Sequence, residues 1–234
     1  MKAVQVRDYG GSDMLALADM DIPQPGDGEA LVNISRAGIN FIDVYMRSGV
    51  FKNSTTYPNV PPFTPGMEAA GVIEATGPGV EDIKPGDRVA YCLSMGGYAE
   101  YACVPAWKLF KVPDGVPLDV AAALQLQGMT AHYLTHSLYP LKDVDSCLIH
   151  AGAGGMGQLA IQLAKMRGAR PAGPGRGRIG VFHPPAPGRL YPDATSPARV
   201  LARPVPSLWR RPPHRHPRPQ HSTLAKAGLI VYIL

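Results

Sequence analysis

The sequence predicts an α/β protein in which a β-rich region comes before a region of alternating strand and helix. Through residues 1–118, turn signals such as DYGGSD, PQPGDG and TGPGVEDIKPGD recur roughly every 8–15 residues, as in compact β domains. From Leu118 the spacing of apolar residues changes to that of helices. A glycine-rich turn then joins a short apolar run, SCLIHA, to a second helical segment.

The β-rich region contains short segments rich in Val and Ile, such as ALVNIS and GVIEA. Short strands separated by Gly/Pro turns indicate a β domain of barrel or sandwich type. The segment NFIDVYMRSG interrupts this pattern, because Phe41, Val44 and Tyr45 follow helical spacing. Asn40 stands immediately before them and is a favourable N-cap residue. We therefore expect one short helix within this domain.

Two helices are predicted after the β-rich region. LDVAAALQLQGMTAHYLTHSL forms the first, with a bend or an interruption expected near Gly128. The second follows the glycine turn, and Leu159, Leu163 and Met166 line one of its faces. Gly168 stands at the predicted C′ position of this helix, where a left-handed conformation is favoured.

The turn Gly152-Ala153-Gly154-Gly155-Met156-Gly157 satisfies the pattern G-x-G-x-x-G. Glycines allow the backbone to approach a pyrophosphate, and the start of the helix presents free N–H groups to it. The pattern gains weight because it follows a strand-like run and opens a helix with an apolar face. It predicts a dinucleotide site, and the alternative is a tight structural turn.

A dinucleotide fold needs a second strand that ends at a residue reading the ribose. The segment RPAGPGRGR occupies that place, and no acidic residue lies between Asp145 and Asp193. Proline cannot donate to a sheet ladder and glycine weakens strands, so we expect no second strand here. The strand–helix unit after Val144 is therefore predicted to lack sheet partners and to be marginally stable.

Charge divides the chain near Ala169. Residues 1–169 have 12 basic and 17 acidic side chains, whereas residues 170–234 have 11 basic side chains, one acidic side chain and 13 of the 25 prolines. This composition predicts disorder. One hypothesis is a shifted reading frame that is restored near STLAKAGLIVYIL, a segment that weakly resembles a later helix–strand pair. The alternative is a basic arm that binds RNA or another polyanion through arginines 210, 211, 215 and 218.

Cys92, Cys103 and Cys147 are odd in number and share no short spacing, which indicates free thiols in a reducing cytoplasm. No apolar run approaches the roughly 20 residues that a membrane helix needs. The first residues, MKAVQVRDYGG, lack the apolar region of a signal peptide. We expect a cytoplasmic protein.

Several motifs, in order, resemble the zinc-independent quinone oxidoreductases of the medium-chain dehydrogenase/reductase superfamily. They are AGINFIDVYMRSG, GMEAAGVIEATGPGVEDIKPGDRVAY, LQGMTAHYL and HAGAGGMG. The resemblance implies a GroES-like catalytic domain over 1–118 and an incomplete Rossmann NADP-binding domain over 119–169. Residues 170–234 depart from the family. The family places its active site in the cleft between the two domains.

The resemblance also implies a function: zinc-independent hydride transfer from NADPH to a small-molecule quinone or enone. It assigns catalytic roles to Asn40, Asp43 and Tyr45, of which Asp43 and Tyr45 would bond the cofactor or orient the substrate. The residues that it implies for cofactor binding are Thr130, Tyr133, Gly154, Gly155, Met156 and Gly157. Phe51 stands where relatives often have tyrosine. Taken singly, each residue could instead have only a structural role.

Zinc-dependent relatives carry a Cys where this chain has Asn40, a His where it has Met67, and a third ligand near Gln127. These residues are poor zinc ligands, so no metal is expected. His132 and His136 have a ligand-like i, i+4 spacing but lack a third ligand. Family members pair through the Rossmann part, so the dimer interface is expected to be missing. Nucleic acid binding is not expected either. The alternative to an enzyme is a catalytically inactive, truncated product or a polyanion-binding protein.

Overall fold

The computed structural model describes residues 1–172 and 231–233. The chain divides into two compact units, Met1–Leu126 and Gln127–Leu234. The boundary lies beyond residue 118 because the helix that follows this position packs on the first unit. Within the described residues, no helix is both long and apolar enough to cross a membrane.

The regular secondary structure of the first unit is mainly antiparallel strands, as its turn spacing predicts. The strands are β1 (Lys2–Val6), β2 (Leu15–Asp19), β3 (Glu29–Ala37), β4 (Glu68–Thr76), β5 (Arg88–Cys92), β6 (Tyr101–Pro105) and β7 (Phe110–Lys111). A five-stranded sheet has the order β6-β3-β4-β5-β7, and β1 pairs with β2. The segments ALVNIS and GVIEA lie in β3 and β4, so their prediction as strands is confirmed.

The core of the first unit is formed by side chains that alternate along these strands. Val32, Ile73, Val104 and Tyr91 belong to one buried cluster on the five-stranded sheet. Burial of apolar surface at about 25 cal/mol per Å² is the main force that holds such a sheet together. Two short 3₁₀ segments, Ser12–Met14 and Ala106–Lys108, connect strands at the edge of this unit.

Two helices complete the first unit. Helix α1 (Phe41–Arg47) begins after its N-cap Asn40, as the sequence predicts. Helix α2 (Leu118–Leu124) packs the small side chains of Ala121 and Ala122 against the sheet. The partners of these alanines are also small, so the helix can approach the strands closely.

The helical region for which the sequence predicts a bend or an interruption continues from α2 into the second unit. Helix α3 (Leu126–His132) continues into a π-helical turn at Tyr133–Leu138. The interruption lies at Gln125 rather than at Gly128, which is inside α3. Leu126 donates its backbone N–H to the Glu68 carboxylate at 2.6 Å, and this bond coincides with the break in the helical path.

The rest of the second unit is a strand–turn–helix–strand arrangement. Strand β8 (Ser146–Ile149) leads through the glycine turn into helix α4 (Gly155–Met166). Gly168 has φ +77°, which confirms its predicted C′ position. Leu159 and Leu163 pack on the core of this unit, but Met166, the third residue of the predicted apolar face, is 80% exposed. The positions of α4 buried most completely are Gly157, Ala160 and Ala164.

The prediction that no second strand follows α4 is wrong. Strand β9 (Arg170–Ala172) pairs in parallel with β8, and strand β10 (Val231–Ile233) pairs with the other side of β8. The strand–helix unit therefore has sheet partners, contrary to expectation. In the described sheet β9 is an edge strand, where a proline such as Pro171 is tolerated because its missing N–H leaves no central ladder position unfilled.

Strand β10 lies in the segment that resembles a later helix–strand pair of a dinucleotide-binding domain. It runs antiparallel to β8, whereas the strands of such a domain are mostly parallel. The predictions of disorder and of a polyanion-binding arm concern residues outside the described part of the chain, apart from these two short strands.

Candidate functional site

The first part of the candidate site is a buried polar group at the start of α1. The side chain of Asn40 is 7% exposed, and its backbone N–H donates to Asp43 Oδ2 at 3.0 Å. This bond is one half of a capping box, in which a side chain three residues into the helix satisfies the N-cap amide. The other half joins the Asn40 side chain to the backbone N–H of Asp43. The structure therefore brings two of the predicted catalytic residues, Asn40 and Asp43, into direct contact.

Asp43 is held by a residue that the sequence analysis did not identify. The hydroxyl of Tyr98 donates to Asp43 Oδ2 at 2.7 Å. Burial raises the pKa of the Asp43 carboxyl, while the bond from Tyr98 and nearby backbone amides partly oppose this shift. Burial and the adjacent carboxylate also raise the pKa of Tyr98, so its hydroxyl keeps the proton.

Glu68 is the second residue that sequence reasoning missed. Its carboxylate is almost fully buried and accepts hydrogen bonds from Asn40 Nδ2 and from the Leu126 backbone N–H, each at 2.6 Å. Burial raises its pKa, and the negative charge of Asp43 adds to this effect, while the two hydrogen bonds lower it. A signal was present in the sequence, because a lone acid in the small and apolar run GMEAAG is rarely buried without partners.

Tyr45, the third predicted catalytic residue, belongs to a chain of aromatic rings. Its ring lies 5.1 Å from the ring of Phe41 and 5.9 Å from that of Phe51, in both cases edge to face. Phe51 continues the chain to Tyr57 at 6.1 Å. These separations are typical of favourable aromatic pairs. Phe41 is 67% exposed, so the Phe41 end of this chain of aromatic rings is accessible to solvent.

The second part of the candidate site is the glycine turn between β8 and α4. Gly154 is the N-cap of α4, and Gly155 is its first residue. Gly154 and Gly155 are exposed, Met156 is half-buried and Gly157 is buried. A Cβ on Gly157 would lie 2.7 Å from Gly152 Cα and closer still to the Ala151 carbonyl, so only glycine fits. The helix therefore starts directly against the turn, where the amides of its first turn have no partner within the helix.

Helix α3 lies against this turn through Gln127, whose carboxamide fills the space that a Cβ on Gly155 would need. Thr130, one of the predicted cofactor-binding residues, is three positions from Gln127 and shares that side of α3. Tyr133 follows at the start of the π-helical turn and is half exposed. The second unit thus brings α3 against the glycine turn through Gln127, and cofactor binding by Thr130 and Tyr133 stays a prediction.

The positions that carry zinc ligands in metal-dependent relatives have other roles here. Asn40 donates to Glu68, and Met67 is buried in a cluster with Val6, Met46 and Phe63. Among the described residues, no group of three or more His, Cys, Asp or Glu side chains could hold a metal ion. The rings of His132 and His136 stack with centroids 4.2 Å apart.

The raised pKa of Asp43 predicts how stability depends on pH. A carboxyl whose pKa is higher in the native state binds its proton more tightly there than in the unfolded chain, so it lowers stability as pH rises. Asp43→Asn removes this titration. We expect the free energy of unfolding of D43N, minus that of the wild type, to increase as pH rises from about 4. Urea denaturation at several pH values measures this difference.

Asp87 is the matched control for this experiment. A hydrogen bond from Lys111 lowers the pKa of Asp87, so its contribution to stability is lost as pH falls rather than as it rises. The free energy of unfolding of D87N, minus that of the wild type, should therefore decrease as pH rises through about 4. If this difference changed with pH in the same direction for D43N and D87N, the opposite pKa shifts assigned to Asp43 and Asp87 would be contradicted.

Comparisons with known proteins agree with this architecture. Residues 26–114 match the alcohol dehydrogenase GroES-like domain. The chain is 39% identical over 170 residues to a quinone oxidoreductase of Pseudomonas aeruginosa, covering 72% of this chain and 51% of the relative. It is 40% identical over 173 residues to a 2-haloacrylate reductase of Burkholderia, covering 71% and 50%.

Solved structures show the same relationship. The structure of Escherichia coli quinone oxidoreductase complexed with NADPH superposes with a TM-score of 0.70 at 35% identity, covering 77% of this chain and 53% of that one. The chain spans about half the length of the relatives it matches. Its matched part includes the GroES-like domain at residues 26–114. Over more than two thirds of its length the chain is thus similar to quinone oxidoreductases, and part of that length matches the alcohol dehydrogenase GroES-like domain.

Proposed function

We propose that this chain is an NADPH-dependent, zinc-independent reductase of quinones or activated alkenes. The observation that carries the proposal is the turn at Gly154–Gly157, which opens a 12-residue helix directly after a strand with parallel pairing. Exposed amides at a helix start favour a diphosphate, because they donate hydrogen bonds and lie at the positive end of the helix dipole. The NADPH in the E. coli structure and the names of the relatives support the same choice.

In the proposed site, the second unit binds the nucleotide through Gly154, Gly155, Met156 and Gly157. Thr130 and Tyr133 would contact the cofactor from the neighbouring helical segment. The steric fit supports this assignment, since the absence of a Cβ at Gly157 leaves the turn close against the helix. When bound, NADPH supplies a hydride, and reduction of a quinone to a hydroquinone takes up that hydride and one proton.

The first unit would supply the groups that meet the acceptor. Asn40 and Asp43 provide a buried amide and a buried carboxylate, and Tyr98 holds a proton in its hydrogen bond to Asp43. The aromatic chain from Phe41 to Tyr57, which includes Tyr45, would favour a flat, apolar acceptor through ring contacts. These groups can orient the acceptor and exclude water without a metal.

Zinc independence is part of the proposal. It rests on the donor chemistry of Asn40, Met67 and Gln127, which offers an amide, a thioether and a second amide where zinc prefers thiolate, imidazole or carboxylate. We place the reaction in the cytoplasm, because Cys92, Cys103 and Cys147 are free thiols, as is usual for proteins of a reducing compartment.

The test is a fluorescence titration of the full chain with NADPH, followed by turnover with 9,10-phenanthrenequinone. We expect saturable binding at micromolar concentration, weaker binding of NADH, and NADPH consumption that depends on the quinone. An α,β-unsaturated ketone in place of the quinone distinguishes the two classes of acceptor. The departure of residues 170–234 from the pattern of the resembling family favours a second candidate, a catalytically inactive product, and a flat titration would support it.

A further inference from the structure

Glu68 stands at the first position of β4 and belongs to neither set of predicted site residues. Its side chain is 1% exposed, and the two carboxylate oxygens have different partners. Oε2 accepts from the side-chain amide of Asn40, and Oε1 accepts from the backbone N–H of Leu126. A Cβ on Gly38 would overlap this carboxylate, so the glycine leaves the space that Glu68 occupies. All four residues belong to the first unit.

The bond between Glu68 and Asn40 determines the orientation of the Asn40 amide. An ionised carboxylate can only accept hydrogen bonds, so it selects the nitrogen end of a neighbouring amide and repels the oxygen end. The amide is planar, which directs Asn40 Oδ1 away from Glu68 and towards the start of α1, where the capping box pairs the Asn40 side chain with the Asp43 N–H. The backbone of Asn40 is held separately by Asp43 Oδ2, so the two carboxylates constrain different parts of the same residue.

We propose that Glu68 is a positioning residue that fixes the Asn40 amide with its nitrogen inward, so that its carbonyl oxygen faces the ligand. A carbonyl oxygen has two lone pairs, so Asn40 would accept a hydrogen bond from an N–H or O–H group of the bound cofactor or acceptor in addition to capping α1. This inference rests on the proposed function for its ligand. The orientation of the amide can be measured independently of that function.

The variant Glu68→Gln tests the orientation with little change in shape. The new carboxamide keeps an oxygen for the Leu126 N–H, but it places an NH₂ group opposite the NH₂ group of Asn40. Rotation of the Asn40 amide by about 180° relieves this donor–donor contact and reverses the end that faces away. The double variant N40D/E68Q exchanges acceptor and donor, restores the hydrogen bond between positions 40 and 68, and again leaves an oxygen facing outward.

The first measurement is NMR of the side-chain amide of Asn40 in the labelled full chain. In the wild type we expect a downfield, slowly exchanging Nδ2 proton whose shift titrates with the Glu68 carboxyl. In E68Q this proton should lose its downfield shift and its titration. A wild-type Asn40 resonance like that of a solvent-exposed amide would overturn the proposal, whether or not E68Q folds.

The second measurement is the kinetics of quinone reduction. We expect E68Q to lower kcat/KM by about tenfold or more. Its Tm should fall by no more than about 5 °C, because only the helix cap is weakened. The double variant N40D/E68Q should recover most of the lost activity. The control is E74Q on the same strand. Glu74 accepts a 3.5 Å hydrogen bond from the Asn33 side chain on the exposed side of the sheet. E74Q should therefore leave kcat and KM unchanged.

Two kinetic results would overturn the proposal: full activity of E68Q, or no recovery in a folded double variant. Failure of the wild type to bind NADPH would refute the proposed function instead, and the NMR result would still decide the orientation of Asn40.

Discussion

Replacing Tyr91 with alanine should lower the free energy of unfolding by about 3–5 kcal/mol, as for other large aromatic residues removed from a core. The Tyr91 side chain is 0% exposed and lies in the buried cluster of the five-stranded sheet with Ile73 and Val104. Its removal leaves a cavity that strands on both sides cannot fill without breaking their hydrogen bonds. Urea denaturation followed by circular dichroism measures the loss.

The conservative variant Tyr91→Phe separates packing from hydrogen bonding. Among the described residues, the Tyr91 hydroxyl has no hydrogen-bond partner, and burial raises its pKa. Removing an unsatisfied buried hydroxyl while keeping the ring should leave stability unchanged or raise it by about 1 kcal/mol. A loss in Y91F as large as that in Y91A would show that the hydroxyl, and not the ring, carries the contribution.

Gly157→Ala should weaken NADPH binding by at least about tenfold, which corresponds to about 1.4 kcal/mol. The added methyl group would lie 2.7 Å from Gly152 Cα and still closer to the Ala151 carbonyl, and both are backbone atoms that cannot rotate away. The turn must therefore separate from the start of α4, at a cost of about 1–3 kcal/mol for overpacking. The amides that face the diphosphate would be displaced with it. Isothermal titration calorimetry gives the affinity.

Gly26→Ala is the control for this variant. It makes the same chemical change in the first unit, where the new Cβ would lie 3.4 Å from Glu29 Oε2, an ordinary contact. G26A should bind NADPH as the wild type does. Equal affinities of G157A and the wild type would show that the turn does not hold the nucleotide.

Local sequence patterns account for the individual elements. Turn chemistry predicts the strands of the first unit, and the helical spacing of apolar residues after the N-cap Asn40 predicts helix α1. The pattern G-x-G-x-x-G predicts the start of α4, and Gly168 predicts its end. These predictions succeed because each depends on contacts between residues that are close in the chain.

Strand β9 shows where local reasoning fails. The composition of RPAGPGRGR argues against a strand, yet Arg170–Ala172 pairs with β8. An edge strand has a neighbour on one side only, so it can contain a proline, which has no N–H to donate. Met166 fails for a related reason. Its spacing fits the apolar face of α4, but small residues such as Ala160 and Ala164 form the buried contact, and the longer side chain at the end of the helix remains outside.

By itself, the sequence determined the resemblance to quinone oxidoreductases, the order of strands and helices as far as α4, and the chemical types of the candidate site residues, since all of these follow from residue identity and spacing. Only the tertiary structure decided which polar groups meet. Glu68 lies 28 positions from Asn40 and 58 from Leu126, and Tyr98 lies 55 from Asp43. Pairing of distant strands brings them together in a buried environment, where an unpaired carboxylate would be too costly to retain. The polar network is therefore a property of the folded sheet and helix and cannot be read from spacing along the chain.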